Sequence, residues 1–235
     1  MDLTHLGVGA FLAGVLSLER KAFLQAMFSR PLVAGALIGL SFDRALEGLA
    51  IGATLELFHL GAVNLGAALP DNELFTTVAA ASCACALAPR VELALPATLG
   101  LAALVALPAA KLGKVTDRLS ERLNLLVLAR VEGEGDELRL STGLRHNLYG
   151  MWVPFLTTGT TCLLGALIGA YALPALLAAG PASLPRGLSM AWAGLLVVGA
   201  ASAARTARTD RAFVWAAIAA ATSAGIQAAG LLGLR

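Results

Sequence analysis

Charged residues are scarce in this chain: Lys, Arg, Asp and Glu make up 14% of its 235 residues, whereas soluble domains carry about 25%. Hydrophobic residues make up 58% and the mean hydropathy is +0.78, so the composition predicts an integral membrane protein in a lipid bilayer. The net charge is only +2, and the basic residues fall in short clusters between apolar runs. This distribution gives no polyanion-binding face, and no nucleic-acid partner is expected.

Cysteine is also scarce: Cys83, Cys85 and Cys162 all lie in apolar runs. Three such residues predict no disulfide framework, and a Cys-x-Cys pair without other nearby ligands is a poor metal-site pattern. We therefore expect buried thiols that pack as small apolar groups, and we predict no metal or other cofactor. A cleavable leader is also not expected, because residues 3–18 lack a basic start and a small-residue cleavage pattern.

Apolar runs occupy most of the chain, at residues 3–18, 31–42, 49–69, 74–88, 93–110, 148–179, 187–204 and 212–234. A helix needs about 20 residues to cross a bilayer, and runs of about 10 to 14 residues are typical of re-entrant or broken helices. We predict an all-α, polytopic membrane protein with seven or eight apolar segments, forming a single membrane domain over residues 1–235. Re-entrant or broken helices are expected near residues 31–75.

The main aqueous segment is residues 111–147, where basic and acidic residues alternate. Its first part spaces leucine and valine by three and four residues, which predicts an amphipathic helix followed by a loop. Basic residues here, and a second cluster at Arg205, Arg208 and Arg211, indicate the cytoplasmic side. The two apolar runs between these clusters would then cross out and back, with their turn at residues 181–186 on the opposite side.

Polar residues interrupt the small-residue segment 52–71, where Glu56, His59 and Asn64 lie among apolar neighbours. An ionisable group in hydrocarbon costs about 2.5 to 3.5 kcal/mol on insertion scales, so such groups usually face a cavity, a partner or a substrate. Gly61, Gly66 and Pro70 are expected to break this helix. The ends of a broken helix can bind polar solutes at mid-membrane depth, and a solute site is therefore predicted near Glu56.

The same region carries a resemblance to a known family. The segments RPLVAGALIG (30–39), GATLEL (52–57) and GAVNLGAALPD (61–71) resemble the IIC subunit of the mannose/fructose/sorbose family of bacterial phosphotransferase-system (PTS) permeases. The resemblance implies a multi-pass protein of the bacterial inner (cytoplasmic) membrane, paired with a IID membrane subunit. It implies a hexose-type sugar as the transported solute and cytoplasmic IIB and IIA subunits as phosphocarriers. The IIC chain would not itself carry the phosphoryl group, and whether it counts as an enzyme component stays open.

One motif departs from the family pattern. Where the family often reads Pro-Pro-Asp or Ala-Pro-Asp, this chain reads Leu-Pro-Asp-Asn, with the aspartate one position early. Either Asp71 or Asn72 therefore takes the family's aspartate role. A member that has lost transport and regulates or anchors a PTS cascade is one alternative function, and an ion- or proton-coupled secondary transporter is another.

Sugar recognition calls for carboxylates or amides that bind vicinal hydroxyl groups. Thr54 is the weakest candidate, since a mid-helix threonine often bonds to the carbonyl four residues earlier. For Glu56, sugar binding, a structural bond that holds the broken helix, and proton coupling all remain open. The Glu-x-x-His spacing to His59 has no second copy, so a di-metal site is not predicted. The predicted sugar-binding residues are Glu56, Asn64, His59, Asp71, Asn72 and Thr54.

Small residues recur at helical spacing in Gly35-x-x-x-Gly39 and Gly165-x-x-x-Gly169. Glycine pairs of this kind allow membrane helices to approach closely. We predict close helix packing at both pairs. A chain of this size is also compatible with an obligate partner, and we expect an oligomer.

Overall fold

A computed structural model describes residues 2–21, 25–60, 72–132, 140–206 and 214 of the chain. These residues fold into helices and contain no strand, which confirms the all-α prediction. The helices are α1 (Leu3–Lys21), α2 (Pro31–Ser41), α3 (Ala45–Leu60), α4 (Glu73–Leu87), α5 (Leu95–Ala106), α6 (Ala109–Glu132), α7 (Leu140–Leu167), α8 (Leu173–Ala179) and α9 (Leu184–Thr206). A π-helical turn, Ile168–Ala172, joins α7 to α8.

Two helical segments are long and apolar enough to cross a membrane, Leu148–Ala179 and Leu184–Ala204. At 1.5 Å per residue they extend about 48 and 31 Å, against a hydrocarbon core of about 30 Å. A third span is possible if α5 and the first part of α6, which bend by 41° at their junction, form one broken span. The described residues thus contain two or three apolar spans together with shorter apolar helices.

Short helices fill the region where broken helices were predicted. α2 has 11 residues and α4 has 15, so they extend about 16 and 22 Å and neither crosses a bilayer alone. α3 is described as far as Leu60, and the predicted break at Gly61 lies outside the described residues. Residues 61–71, including the predicted break at Gly66 and Pro70, lie outside the described part of the chain.

Local sequence fixes where these short helices begin. Pro31 occupies the first turn of α2, behind an extended Arg30, which suits proline because the first helical N–H has no partner within the helix. α4 is capped by Asn72, whose Oδ1 accepts a hydrogen bond of 3.0 Å from the Phe75 amide. Side-chain caps of this kind stabilise a helix by about 1 kcal/mol.

The core is built around α4, in which every residue from Leu74 to Leu87 is buried. α2, α3, α5 and α7 all pack against it. Its small side chains, mostly alanine, serine, threonine and cysteine, let these neighbours come close. Cys83, Cys85 and Cys162 are unbridged and buried, as the sequence predicted.

Both glycine pairs mediate the close packing that was predicted for them. A Cβ on Gly35 would lie 2.5 Å from the Gly48 carbonyl oxygen of α3. On α7, a Cβ on Gly165 would lie 2.8 Å from the Ala79 carbonyl oxygen of α4. Because real Cβ atoms do not approach oxygen this closely, glycine is required where α2 crosses α3 and where α7 crosses α4.

The amphipathic helix forms as α6, and its orientation is unusual. Its inner side is small and polar, with Gly113, Asp117 and Ser120 buried. Its apolar side chains Leu112 and Val115 are exposed. An outward apolar face is typical of a helix that lies at a membrane surface or against another subunit, and the cytoplasmic location of residues 111–147 stays a prediction.

Candidate functional site

Three helix ends meet at the guanidinium group of Arg30. Its Nε donates to Glu56 Oε1 at 2.9 Å, and its Nη2 donates a second, short hydrogen bond to the same oxygen. Its Nη1 donates to Glu73 Oε1 at 3.3 Å. Glu56 Oε2 also accepts from the Leu32 amide at 3.3 Å. The start of α2, the last turns of α3 and the start of α4 are thereby tied together by one cation and two carboxylates.

This Arg30–Glu56–Glu73 cluster is partly shielded from solvent: the Glu56 and Glu73 side chains are 18% and 22% exposed and that of Arg30 is 35% exposed. Charge-assisted hydrogen bonds from a guanidinium are among the strongest in proteins. Removing one member of a shielded ion pair leaves the other without compensation, which is more costly than the net value of the pair. With both carboxylates ionised, the cluster carries a formal charge of −1.

A second polar cluster contains Asn72, the residue directly before Glu73 of the first cluster. The Asn72 side chain caps α4 through Oδ1, and its Nδ2 donates to Asp117 Oδ2 at 3.1 Å. Arg20 Nη1 donates to the same Asp117 oxygen at 3.3 Å. This Arg20–Asp117–Asn72 cluster joins α1, α6 and α4, and it meets the first cluster at the consecutive residues Asn72 and Glu73.

A small, partly open cavity of about 10 Å³ adjoins the second cluster. Its lining includes Ser17, Arg20, Asn72, Asp117 and Thr158. The volume is close to that needed to hold one water molecule. Residues of α1, α4, α6 and α7 line the cavity, and it is too small to receive a sugar.

The loop before Arg30 is anchored by Glu19 at the end of α1. Glu19 Oε2 accepts from the Ser29 amide at 2.8 Å, and Oε1 accepts from the Phe28 amide at 3.3 Å. Burial raises the pKa of the Glu19 carboxyl, but hydrogen bonds from Ser29 and Phe28 more than offset this, so that the pKa lies below its usual value. Met27 adopts a φ of 67°, a conformation that is costly for a residue other than glycine.

The predicted site residues fall into four groups. Glu56 belongs to the Arg30 cluster. Asn72 lies beside it, but its amide is already bonded to Phe75 and Asp117. Thr54 and His59 bond within their own helix: the Thr54 hydroxyl donates to the Ala50 carbonyl at 2.9 Å, and His59 Nδ1 lies 2.8 Å from the Leu55 carbonyl oxygen. Asn64 and Asp71 lie outside the described residues.

Arg30 and Glu73 were not singled out by the sequence as site residues. A signal for them existed, because Arg30 opens the first segment of the family resemblance and Glu73 follows the Pro-Asp-Asn turn. What the sequence could not supply was the pairing of Arg30 with both Glu56 and Glu73, which depends on how α2 packs against α3 and α4. Among the described residues, no three His, Cys, Asp or Glu side chains are grouped closely enough to hold a metal ion.

Comparisons with known proteins agree on one family. The family model described as "PTS system sorbose-specific IIC component" matches residues 3–233. A "PTS system sorbose-specific EIIC component" from Klebsiella pneumoniae is 28% identical over 178 residues, which are 75% of this chain and 64% of that relative. The aligned region thus spans less than two thirds of the relative's length.

Solved structures share the whole fold. One, described only as a membrane protein, superposes with a TM-score of 0.69 at 21% identity, covering 100% of this chain and 97% of its own. The mannose transporter ManYZ in complex with microcin E492 superposes with a TM-score of 0.62 at 20% identity, again covering 100% and 97%. At these identities the likeness concerns the fold alone.

The fold and its apolar spans define a helical membrane protein with a polar cluster among short helix ends. The extent of the family match then makes the identification: the chain belongs to the sorbose-specific IIC family of PTS components, within the mannose-type group that the sequence resembled.

Proposed function

We propose that this protein is the sugar-binding and translocating IIC subunit of a mannose-family PTS permease in a bacterial inner membrane, which it crosses several times. A IID membrane subunit is its partner, and cytoplasmic IIB, recharged by IIA, phosphorylates the hexose-type sugar. The observation that carries the proposal is the Arg30–Glu56–Glu73 cluster, a shielded set of charged groups at the meeting point of three short helices.

The cluster has hydrogen-bonding capacity left for hydroxyl groups. An ionised carboxylate offers about four lone-pair positions, and Glu56 uses three of them for Arg30 and the Leu32 amide. Glu73 accepts from Arg30 through Oε1. Vicinal hydroxyls of a sugar would donate to these two carboxylates while Arg30 fixes their positions, so that Glu56 is both a structural residue and a binding residue.

The other predicted residues would contribute to the site in different ways. Asn64 and Asp71 lie in the segment that joins α3 to α4, and we propose that they complete the sugar site. Asn72 acts by fixing the start of α4, beside Glu73. Thr54 and His59 are bonded to carbonyl groups of α3 and would contribute to the shape of the site more than to hydrogen bonding with the sugar.

Transport would expose the bound sugar first to one face of the membrane and then to the other. Phosphorylation by IIB at the cytoplasmic face would make uptake irreversible. The sugar phosphate is negatively charged and would be repelled by the Arg30–Glu56–Glu73 cluster, which already carries a net negative charge. No phosphoryl-carrying step is assigned to this chain.

Sugar binding to the protein co-purified with its IID partner tests the proposal. Radiolabelled sorbose, mannose, fructose and an N-acetylated amino sugar are titrated against wild type, Glu56→Gln and Glu47→Gln. Glu47 is the matched control, because it lies on the same helix, is buried, and pairs with Arg44 at 3.4 Å. We expect at least about a tenfold rise in Kd, or about 1.4 kcal/mol, for Glu56→Gln and less than about a twofold change for Glu47→Gln.

Each other result has a definite meaning. Equal losses in the two variants would make Glu56 a structural residue only. No saturable binding of any of the four sugars by a folded wild-type complex would reject the transport proposal and favour a regulatory membrane subunit.

A further inference from the structure

We infer that Glu19, Arg20 and Asp117, which lie away from the Arg30–Glu56–Glu73 cluster, are positioning residues for the sugar site. They close a ring of polar contacts that fixes both Arg30 and Glu73. This inference rests on the proposed function, because it extends that site to α1 and α6.

The first arc of the ring runs from α1 to α2. Glu19 accepts hydrogen bonds from the Phe28 and Ser29 amides, and Ser29 is bonded covalently to Arg30. The Glu19 carboxylate therefore fixes the backbone from which the Arg30 side chain extends. The same loop contains two non-glycine residues at positive φ, Gln25 and Met27, a conformation that persists only where surrounding contacts enforce it.

The second arc runs from α1 through α6 to α4. Arg20 donates to Asp117, and Asp117 accepts from the Asn72 amide group. Asn72 in turn is bonded covalently to Glu73. Position 72 is thus set both by its capping bond to Phe75 and by the carboxylate of α6.

The two arcs form a closed ring, because they start at the consecutive residues Glu19 and Arg20 and their far ends are joined by the Arg30–Glu73 hydrogen bond of 3.3 Å. Three covalently linked pairs alternate with three sets of polar contacts around it. In a closed ring each contact limits the freedom of all the others, so that opening it at one place weakens the restraint on both Arg30 and Glu73.

Burial differs around the ring: three of its members are buried, while the Arg20 and Glu73 side chains are 20% and 22% exposed. Glu19, Asn72 and Asp117 are 5%, 5% and 6% exposed. The Arg30 side chain is 35% exposed. Interior polar contacts are well suited to holding a geometry, since a buried polar group that loses its partner is costly. The more accessible charged groups remain available to a ligand.

A double-mutant cycle on sugar affinity tests the ring. Glu19→Gln, Asp117→Asn and the double variant are compared with wild type as complexes with the IID partner. Glu121→Gln is the control, because Glu121 lies one turn along α6 and is exposed. We expect each single variant to raise Kd by about tenfold and the double variant to raise it no further than the larger single effect, whereas independent sites would add. Glu121→Gln should change Kd by less than about twofold.

Additive effects on Kd would overturn the inference, because they would show two independent local contacts. A lowered melting temperature with an unchanged Kd would also overturn it, because the residues would then be structural only. If Asp117→Asn does not fold, Arg20→Lys replaces it in the same cycle and is judged by the same criteria.

The failure of this inference is distinguishable from the failure of the proposed function. If the wild-type complex binds no sugar, the transport proposal fails, and the ring is judged from melting temperatures of the same four proteins. A double variant that melts no lower than the worse single variant supports the ring. If the decreases in melting temperature of the two single variants add up in the double variant, the ring is overturned.

Discussion

At the scale of single residues, the polar side chains of α3 are of two kinds: some bond within their own helix and others bond to a different element. Thr54 and His59 bond to carbonyl groups four residues earlier in their own helix. Glu56 bonds instead to Arg30, which precedes α2, and to Leu32 in the first turn of α2. Only groups of the second kind hold helices together, and a change in helix positions can free them for a ligand. Glu56 is therefore a residue of α3 whose side-chain contacts would change if these helices moved.

Replacement of Thr54 by valine tests this division. The Thr54 hydroxyl is buried and donates to the Ala50 carbonyl, a bond that adds little to helix stability. We expect Thr54→Val to change the sugar Kd by less than about twofold and the free energy of unfolding by less than about 1 kcal/mol. Titration of the variant complex measures the first and chemical denaturation the second. A tenfold loss of affinity with normal stability would mean that the hydroxyl leaves Ala50 to bind sugar.

The sequence could identify Glu56 but not its environment. A carboxylate among alanine, leucine and glycine residues stands out by its insertion cost alone. Its partners are far away in the chain, with Arg30 26 positions and Leu32 24 positions before it. Pairing at that separation is set by the angle and register at which two helices cross, and helical periodicity carries no information about either.

At the scale of helices, close packing of α2 on α3 sets that crossing. Gly35 and Gly39 of α2 lie against Gly48 and Gly52 of α3, with backbone atoms in contact. The four-residue spacing predicted that glycines would face a helix, and the structure supplies the identity of the partner. Because Arg30 immediately precedes α2 and Glu56 lies on α3, this glycine contact also brings the charged cluster together.

Replacement of Gly35 by alanine should therefore damage both packing and the site. A Cβ there would lie 2.5 Å from the Gly48 carbonyl oxygen, and overpacking of this kind typically costs about 1 to 3 kcal/mol. We expect a lower melting temperature in detergent and weaker sugar binding in the same variant.

Gly194 provides the matched control for that substitution. It lies in α9 and is exposed, and a Cβ there would meet nothing within 4 Å. Gly194→Ala should leave stability unchanged or raise it by up to about 1 kcal/mol, because alanine has the higher helix propensity. If Gly35→Ala were as harmless as Gly194→Ala, then α2 and α3 would not be in backbone contact.

At the scale of the whole molecule, hydropathy and charge predicted the helical membrane architecture, because bilayer insertion depends on composition more than on detailed contacts. The same information predicted an amphipathic helix in the first part of residues 111–147, where α6 lies. It did not predict which way α6 faces. The periodicity of an amphipathic helix is identical whether its apolar side packs on the protein or on lipid, and only the structure shows Leu112 and Val115 exposed while Asp117 is buried.

The predicted membrane topology can be tested by labelling introduced cysteines. If α6 lies on the cytoplasmic side and Leu148–Ala179 and Leu184–Ala204 each cross once, then the turn between them lies outside. The exposed residues Arg118, on α6, and Ala182, in that turn, can each be replaced by cysteine, and the native thiols are buried and should react slowly. A charged thiol reagent should label Ala182→Cys in intact cells and Arg118→Cys only in inside-out vesicles, with the wild type as the unlabelled control. Labelling of both positions from the same face would mean that the segment between Arg118 and Ala182 crosses the membrane an even number of times. The basic clusters would then not set the orientation of this protein.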